Sequence, residues 1–73
     1  ELFHHLRAVR LGIAREKGLP PYVVFSDRTL REMARHRPVS TAGLLRIHGV
    51  GDTKAERYGH LFLAAIGEFP SPE

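Results

Sequence analysis

The sequence predicts an all-α fold, a compact bundle of four or five short helices with short connections. Three observations carry that expectation. Apolar residues recur at three- and four-residue spacings in several separate stretches, which is the period of an amphipathic helix. Between those stretches stand stop and start signals: Gly18-Leu19-Pro20-Pro21, Ser26-Asp27, Pro38-Val39-Ser40 and Gly49-Val50-Gly51. The one β-like run, Val23-Val24-Phe25, has no second strand in the chain to pair with.

Taken in order, Leu2, Leu6, Val9 and Ile13, with Phe3 alongside, make one apolar stripe and predict a first helix over about residues 2–17. Gly18 ends it as a left-handed C-terminal cap, and Leu19 can fold back on the last turn. Pro20 and Pro21 forbid continuation. Residues 18–25 then read as an apolar loop that plugs the core with Val23, Val24 and Phe25, leaving Tyr22 partly exposed at its mouth.

Ser26 is the N-cap of the next helix and Asp27 favours its positive end. Phe25 and Leu30 are spaced as a hydrophobic staple, Leu30, Met33 and Ala34 face inward, and Arg35, His36 and Arg37 crowd the C-terminus before Pro38. Val39 and Ser40 repeat the staple and cap, with Leu44 the staple partner, and Leu44, Leu45 and Ile47 form the apolar face of a short helix. A last helix begins near Asp52, with Ala55, Tyr58, Phe62, Ala65 and Phe69 on one face and Leu61 and Ile66 broadening it. Gly59 within it allows a kink or a close helix approach. The predicted core is Leu6, Val9, Ile13, Val23, Phe25, Leu30, Met33, Leu44, Leu45, Tyr58, Phe62 and Ile66. One domain over residues 1–69 and a flexible tail over 70–73 are expected.

Composition narrows the function. The chain has 73 residues, 42% hydrophobic and 26% charged, which suits one soluble globule. Its first residue is Glu1, not Met, so a piece of a longer protein is expected. No stretch is long and apolar enough for a membrane span, and the absence of cysteine excludes disulfides and thiolate metal sites. The formal net charge of +3 is uneven: residues 1–37 carry eight basic against four acidic residues, and residues 38–73 three against four. That excess suits a polyanionic partner.

No catalytic constellation is legible. Gly49-Val50-Gly51-Asp52-Thr53-Lys54 lacks the Gly-Lys-Ser/Thr ending of a nucleotide loop, and no strand precedes it. His4, His5, His36, His48 and His60 form no ligand set, so no metal or other cofactor is expected. The turn Ile47-His48-Gly49-Val50-Gly51 reads in two ways. It matches the hairpin of helix-hairpin-helix modules, where glycines let backbone amides approach a phosphate at a helix N-terminus, with Lys54 and Arg57 adding charge. It also fits a tight turn that needs glycine only for its dihedrals. Arg28, Arg31 and Arg35 share one face of the second predicted helix and could follow a nucleic-acid backbone, or form a solvated face diluted by Glu32. Tyr22 beside them is a candidate stacking platform for bases.

Four segments together, Leu6-Arg7-Ala8-Val9-Arg10, GLPPYVVFSD at 18–27, TLREMARHRP at 29–38 and IHGVGDTKAERYG at 47–59, resemble the HRDC (helicase and RNase D C-terminal) domain over about residues 2–67. The PPYVVFSD form is similar to that of bacterial RecQ-type DNA helicases more than to ribonuclease D. The resemblance implies a small orthogonal helical bundle, non-catalytic itself, serving as an auxiliary DNA-binding and regulatory module of an ATP-dependent DNA helicase in repair and recombination. It implies a bacterial cytoplasmic, nucleoid-associated parent, a monomer, single-stranded or partial-duplex DNA as partner, and contacts at Tyr22, Lys54 and Arg57. The alternative it leaves is a module that docks on other domains of its parent and modulates unwinding with little DNA affinity of its own.

Overall fold

A computed structural model describes residues 1–69, all-helical with no strand among them. The expected tail at 70–73 lies outside the described residues. Five helices follow one another: α1 Leu2–Lys17, α2 Pro21–Val24, α3 Asp27–His36, α4 Thr41–Leu44 and α5 Asp52–Glu68. α1 packs against α2, α3 and α5, and α4 lies on α5.

α1 ends as its sequence directs. Gly18 is left-handed (φ 67°, ψ 36°). The amide of Leu19 donates to the carbonyl of Ala14 at 2.9 Å, and that of Gly18 to Arg15 at 3.3 Å, the paired bonds of a Schellman cap. The buried stripe, however, runs through Leu2, Leu6, Arg10, Ile13 and Ala14, while Val9 is only half-buried. Arg10, four residues after Leu6 and three before Ile13, lies closer to the centre of that face than Val9 does.

The expected loop is a one-turn helix. Pro21 at its first position has a fixed φ and lacks only an amide proton that would be unpaired there anyway, and the Val23 amide closes the turn on the Pro20 carbonyl at 3.0 Å. Helical geometry splits the apolar run: Val24 and Phe25 are fully buried, whereas Val23 is exposed and leaves the expected core. Adjacent helical residues point about 100° apart, so the two valines cannot share a face. Phe25 then turns extended (φ −152°) and meets Tyr58 and Phe62 edge-on, at centroid separations of 6.2 and 5.1 Å.

α3 opens on the expected cap, Ser26 Oγ accepting from the Thr29 amide at 3.2 Å, with both staple residues, Phe25 and Leu30, in the core. It closes on Arg37 in a left-handed conformation (φ 48°). Arg37 donates its amide to the Met33 carbonyl at 2.8 Å, but its side chain leaves this helix end. Its Nη2 donates to the carbonyls of Phe69 at 2.6 Å and Ile66 at 3.3 Å, capping α5 instead.

Two expectations around α4 are corrected. Ser40 caps as predicted, accepting from the Gly43 amide at 3.1 Å, but Val39 is 90% exposed and makes no staple with Leu44. α4 also stops at Leu44 after one turn, so Leu45 faces outward and leaves the expected core. The chain then tightens through turns that bury Ile47 and Val50. Gly59 lets α4 come close: a Cβ there would stand 3.0 Å from Leu44 Cδ2.

Two polar fasteners tie these pieces together. Thr29, buried in α3, donates its hydroxyl to the His48 carbonyl at 2.9 Å. That proton is spoken for, so Ser26 Oγ donates to Thr29 Oγ1 across 3.1 Å. Gly49 beside it has φ 89°, and a Cβ there would run into the Thr29 hydroxyl. The second fastener is Arg10, 7% exposed. Its Nη1 donates to the Phe25 carbonyl at 3.0 Å and to Asp27 Oδ1 at 2.9 Å. The Arg10 hydrogen bond holds the Asp27 carboxyl below its ordinary range, with the charges of Arg10, Arg7 and Arg31 adding to it.

Four outcomes are expected. Leu30→Ala should cost about 2–5 kcal/mol in denaturant unfolding, because Leu30 is fully enclosed and a small core collapses poorly around a void. Gly49→Ala should cost about 1–3 kcal/mol, from the left-handed backbone and the disturbed Thr29 bond. Gly51→Ala, with ordinary backbone and open space around it, should cost less than about 1 kcal/mol. Because the folded-state pKa of Asp27 is lowered, its pairing stabilises the fold at neutral pH. That contribution is lost as pH falls below the usual carboxylate value of about 4. The stability difference between the parent chain and Asp27→Asn should therefore shrink on acidification through that window. A difference that stays constant would refute the pairing.

Candidate nucleic-acid interface

Tyr22 is the most exposed aromatic of the described residues, at 71%. Its position follows from α2: the prolines set the start of the turn, Val24 and Phe25 pull its other side into the core, and the ring is left outside. The ring therefore does not cap the core, and Tyr58, at 4% exposure, is the tyrosine that does.

Phe25 marks where the neighbouring candidates gather. Tyr22 precedes it by three residues and Arg28 follows it by three. Lys54, from the first turn of α5, brings its Nζ to 5.9 Å from the Phe25 ring. The Thr29–His48 hydrogen bond holds the two helix starts together, since it joins the first turn of α3 to the turn that opens α5. Phe25 is thus flanked along the chain by Tyr22 and Arg28 and met from α5 by Lys54, 32 positions after Tyr22.

The other arginines divide. Arg31 is exposed and lays its guanidinium over the Phe3 ring at 5.1 Å, with Arg7 over the same ring at 5.8 Å. Arg35 is exposed about 10 Å along the helix from Arg28, from seven residues at 1.5 Å rise. Glu32, between them, accepts from or pairs with His36 Nε2 at 3.0 Å. Arg57 is exposed on the second turn of α5.

At the glycine turn, the Val50 amide donates to the Ile47 carbonyl at 3.1 Å and the Val50 side chain is buried. Gly49 and Gly51 are exposed. No side chain among the described residues caps the start of α5 at Gly51, so the first amides of that helix face outward as donors. Asp52 occupies the same turn and competes with an incoming anion.

Sequence reasoning missed Arg10 as a partner of Phe25. The signal was present: a charged residue at helical spacing between Leu6 and Ile13 is on the apolar stripe, and a buried arginine needs acceptors. Thr29 was equally missed, because nothing local distinguishes it from an ordinary third helical residue. Among the described residues, no group of His, Asp and Glu could hold a metal ion, and no helix is long and apolar enough to cross a membrane.

Comparison with known proteins gives this geometry its relatives. The chain is 56% identical over 66 residues to the ATP-dependent DNA helicase RecQ of Bacillus subtilis, covering 90% of this chain and 11% of that protein. It is 48% identical over 68 residues to the RecQ helicase of Haemophilus influenzae, covering 93% of this chain and 11% of that one. The chain thus spans about a tenth of the length of these relatives. Among solved structures, the third HRDC domain of D. radiodurans RecQ superposes with a TM-score of 0.87 at 35% identity, over 90% of this chain and 87% of that one. The HRDC family model matches residues 1–66. A five-helix fold of this shape, with that family match across nearly all of its described length, places the chain in the HRDC domain family.

Proposed function

We propose that this domain is a non-catalytic accessory module of an ATP-dependent DNA helicase of the RecQ type, binding single-stranded or partial-duplex DNA weakly through the surface around Tyr22. In this reading a base stacks on Tyr22, and Arg28 and Lys54 meet the phosphates on either side. Arg57 and the outward amides of the α5 start, after Gly49, Val50 and Gly51, extend the phosphate path. Arg31 and Arg35 continue it along α3. The parent would act on DNA in repair and recombination in the bacterial cytoplasm, at the nucleoid.

The observation that supports this most is the exposure of Tyr22. An aromatic ring held out at 71% exposure between prolines and a buried Val24-Phe25 pair contributes little to the core. Its path is already fixed, so little conformational freedom is lost when a base stacks on it. A second reading is docking on other domains of the same parent. Its support is the exposed apolar side chains: Val39, Leu45 and Leu61 around α4 and on α5, and Leu11 and Val23 on α1 and α2.

The two readings separate in a titration of the domain with labelled single-stranded DNA, paired with denaturant unfolding. Tyr22→Ala should cost about 1–3 kcal/mol of DNA affinity and less than about 0.5 kcal/mol of fold stability. For about three phosphate contacts, log K should fall against log salt with a slope of about −2. An unchanged affinity in Tyr22→Ala, or binding insensitive to salt, would sink the DNA reading and favour docking.

A further inference from the structure

We infer that Arg10 is a positioning residue for this surface: through the Phe25 carbonyl and the Asp27 carboxylate, its buried guanidinium sets the orientation of α2 and so of Tyr22. The inference rests on the reading of Tyr22 as a stacking platform.

A helix of four residues cannot hold its own orientation, since a single turn orders several dihedrals for about one hydrogen bond. α2 must therefore be aimed by what it touches. Its N-terminal side is fixed by Pro20 and Pro21. Its inner side is fixed by Val24, fully buried. Its outgoing end is Phe25, whose carbonyl would otherwise lack a partner at the junction with α3. Arg10 Nη1 supplies that partner at 3.0 Å, and the same nitrogen reaches Asp27 Oδ1, the first residue of α3, at 2.9 Å. One atom thus spans the exit of α2 and the entry of α3. Pro21 and Arg10 also line the same shallow groove between α1 and α2.

Arg10 does this without being a contact residue. It is 7% exposed, and its Nε is buried with no partner among the described residues. It therefore cannot present its charge to a phosphate as Arg28 or Lys54 can. Asp27, beside it, balances the charge locally. In a chain rich in arginine this is a distinction of role: removing Arg10 should misplace the ring but leave the number of phosphate contacts unchanged.

The test is a double-mutant cycle on this 73-residue chain with labelled oligothymidine as probe. One arm is Tyr22→Ala. The other is Arg10→Met with Asp27→Asn, which keeps the net charge and most of the buried stem. Thermal unfolding establishes that each variant is folded at the assay temperature. The Arg10/Asp27 variant should lose affinity by no more than Tyr22→Ala does, with the same salt slope as the parent. Added to Tyr22→Ala, it should cost less than about a further twofold, the scatter expected of independent sites. A general structural role would lower affinity equally in both backgrounds, and a phosphate contact would flatten the salt slope; either result, or no loss at all, overturns the inference. Should that variant not fold, Arg10→Lys, which keeps the charge but loses the planar fork, is read through the same cycle. If Tyr22→Ala alone leaves affinity unchanged, the stacking reading itself has failed. If Tyr22→Ala weakens binding and the Arg10 variants do not, only the positioning role has.

Discussion

The burial of Phe25 is the constraint on which the rest of this small fold depends. Its side chain is enclosed by Tyr58 and Phe62 from α5, and the Lys54 amine lies over its ring. Its carbonyl is held by Arg10 from α1. Full burial of such a ring stabilises by about 1.5–3 kcal/mol, and each edge-on aromatic pair adds about 0.5–1.5. In a chain that buries only about 60% of its unfolded surface, that is a large share of the margin. Because Phe25 is extended and directed inward, α2 must end before it and α3 must begin after it. The same requirement leaves Tyr22, on the opposite side of the turn, in solvent.

Polar contacts then fix what the core alone would leave loose. The Ser26–Thr29–His48 chain fastens the start of α3 to the turn before α5, and Arg37 closes the end of α5 from the far end of α3. These bonds are worth little net in an exposed setting, but a buried donor or acceptor left without a partner costs about 1–3 kcal/mol. That penalty, more than any attraction, specifies the geometry. It also explains the glycine at position 49: the carbonyl that Thr29 grips can approach only if the next residue has no side chain and tolerates a positive φ. The turn's glycine is accounted for by the fold before any phosphate is considered.

Arginine content therefore overstates the surface available for a polyanion. Of the basic residues in the first half, Arg10 is buried against Asp27 and Arg37 serves α5, while Arg7 and Arg31 lie over the Phe3 ring yet stay exposed, as do Arg15 and Lys17 at the C-terminal end of α1. Arg28 and Arg35 remain outward on α3 and Arg57 on α5, with Lys54 half-buried over the Phe25 ring. With the exposed cations spread over several helices rather than gathered in one cleft, the domain fits weak, salt-sensitive association, in which an aromatic platform carries more of the discrimination than charge does.

Much of this was written in the sequence itself. The all-helical class, the Gly18 cap, the Ser26 and Ser40 caps and the inward faces of α3 and, Leu61 apart, of α5 follow from local chemistry, since each depends on residues within a turn or two of one another. So did the family resemblance, carried by motifs spread along nearly the whole chain. What only the tertiary structure decided were matters of direction and distance. Val23 faces out because a proline-started turn made a helix of an apparent loop. Val39 stays exposed because no neighbour comes to cover it. Leu45 escapes the core because α4 stops after one turn. Arg10, Thr29 and Arg37 find acceptors 15 to 32 positions away, and Lys54 comes to lie over the Phe25 ring. Local sequence specifies where helices start and stop; which side chain meets which carbonyl across the bundle depends on the packing of all the elements at once, and no short stretch of the chain encodes that.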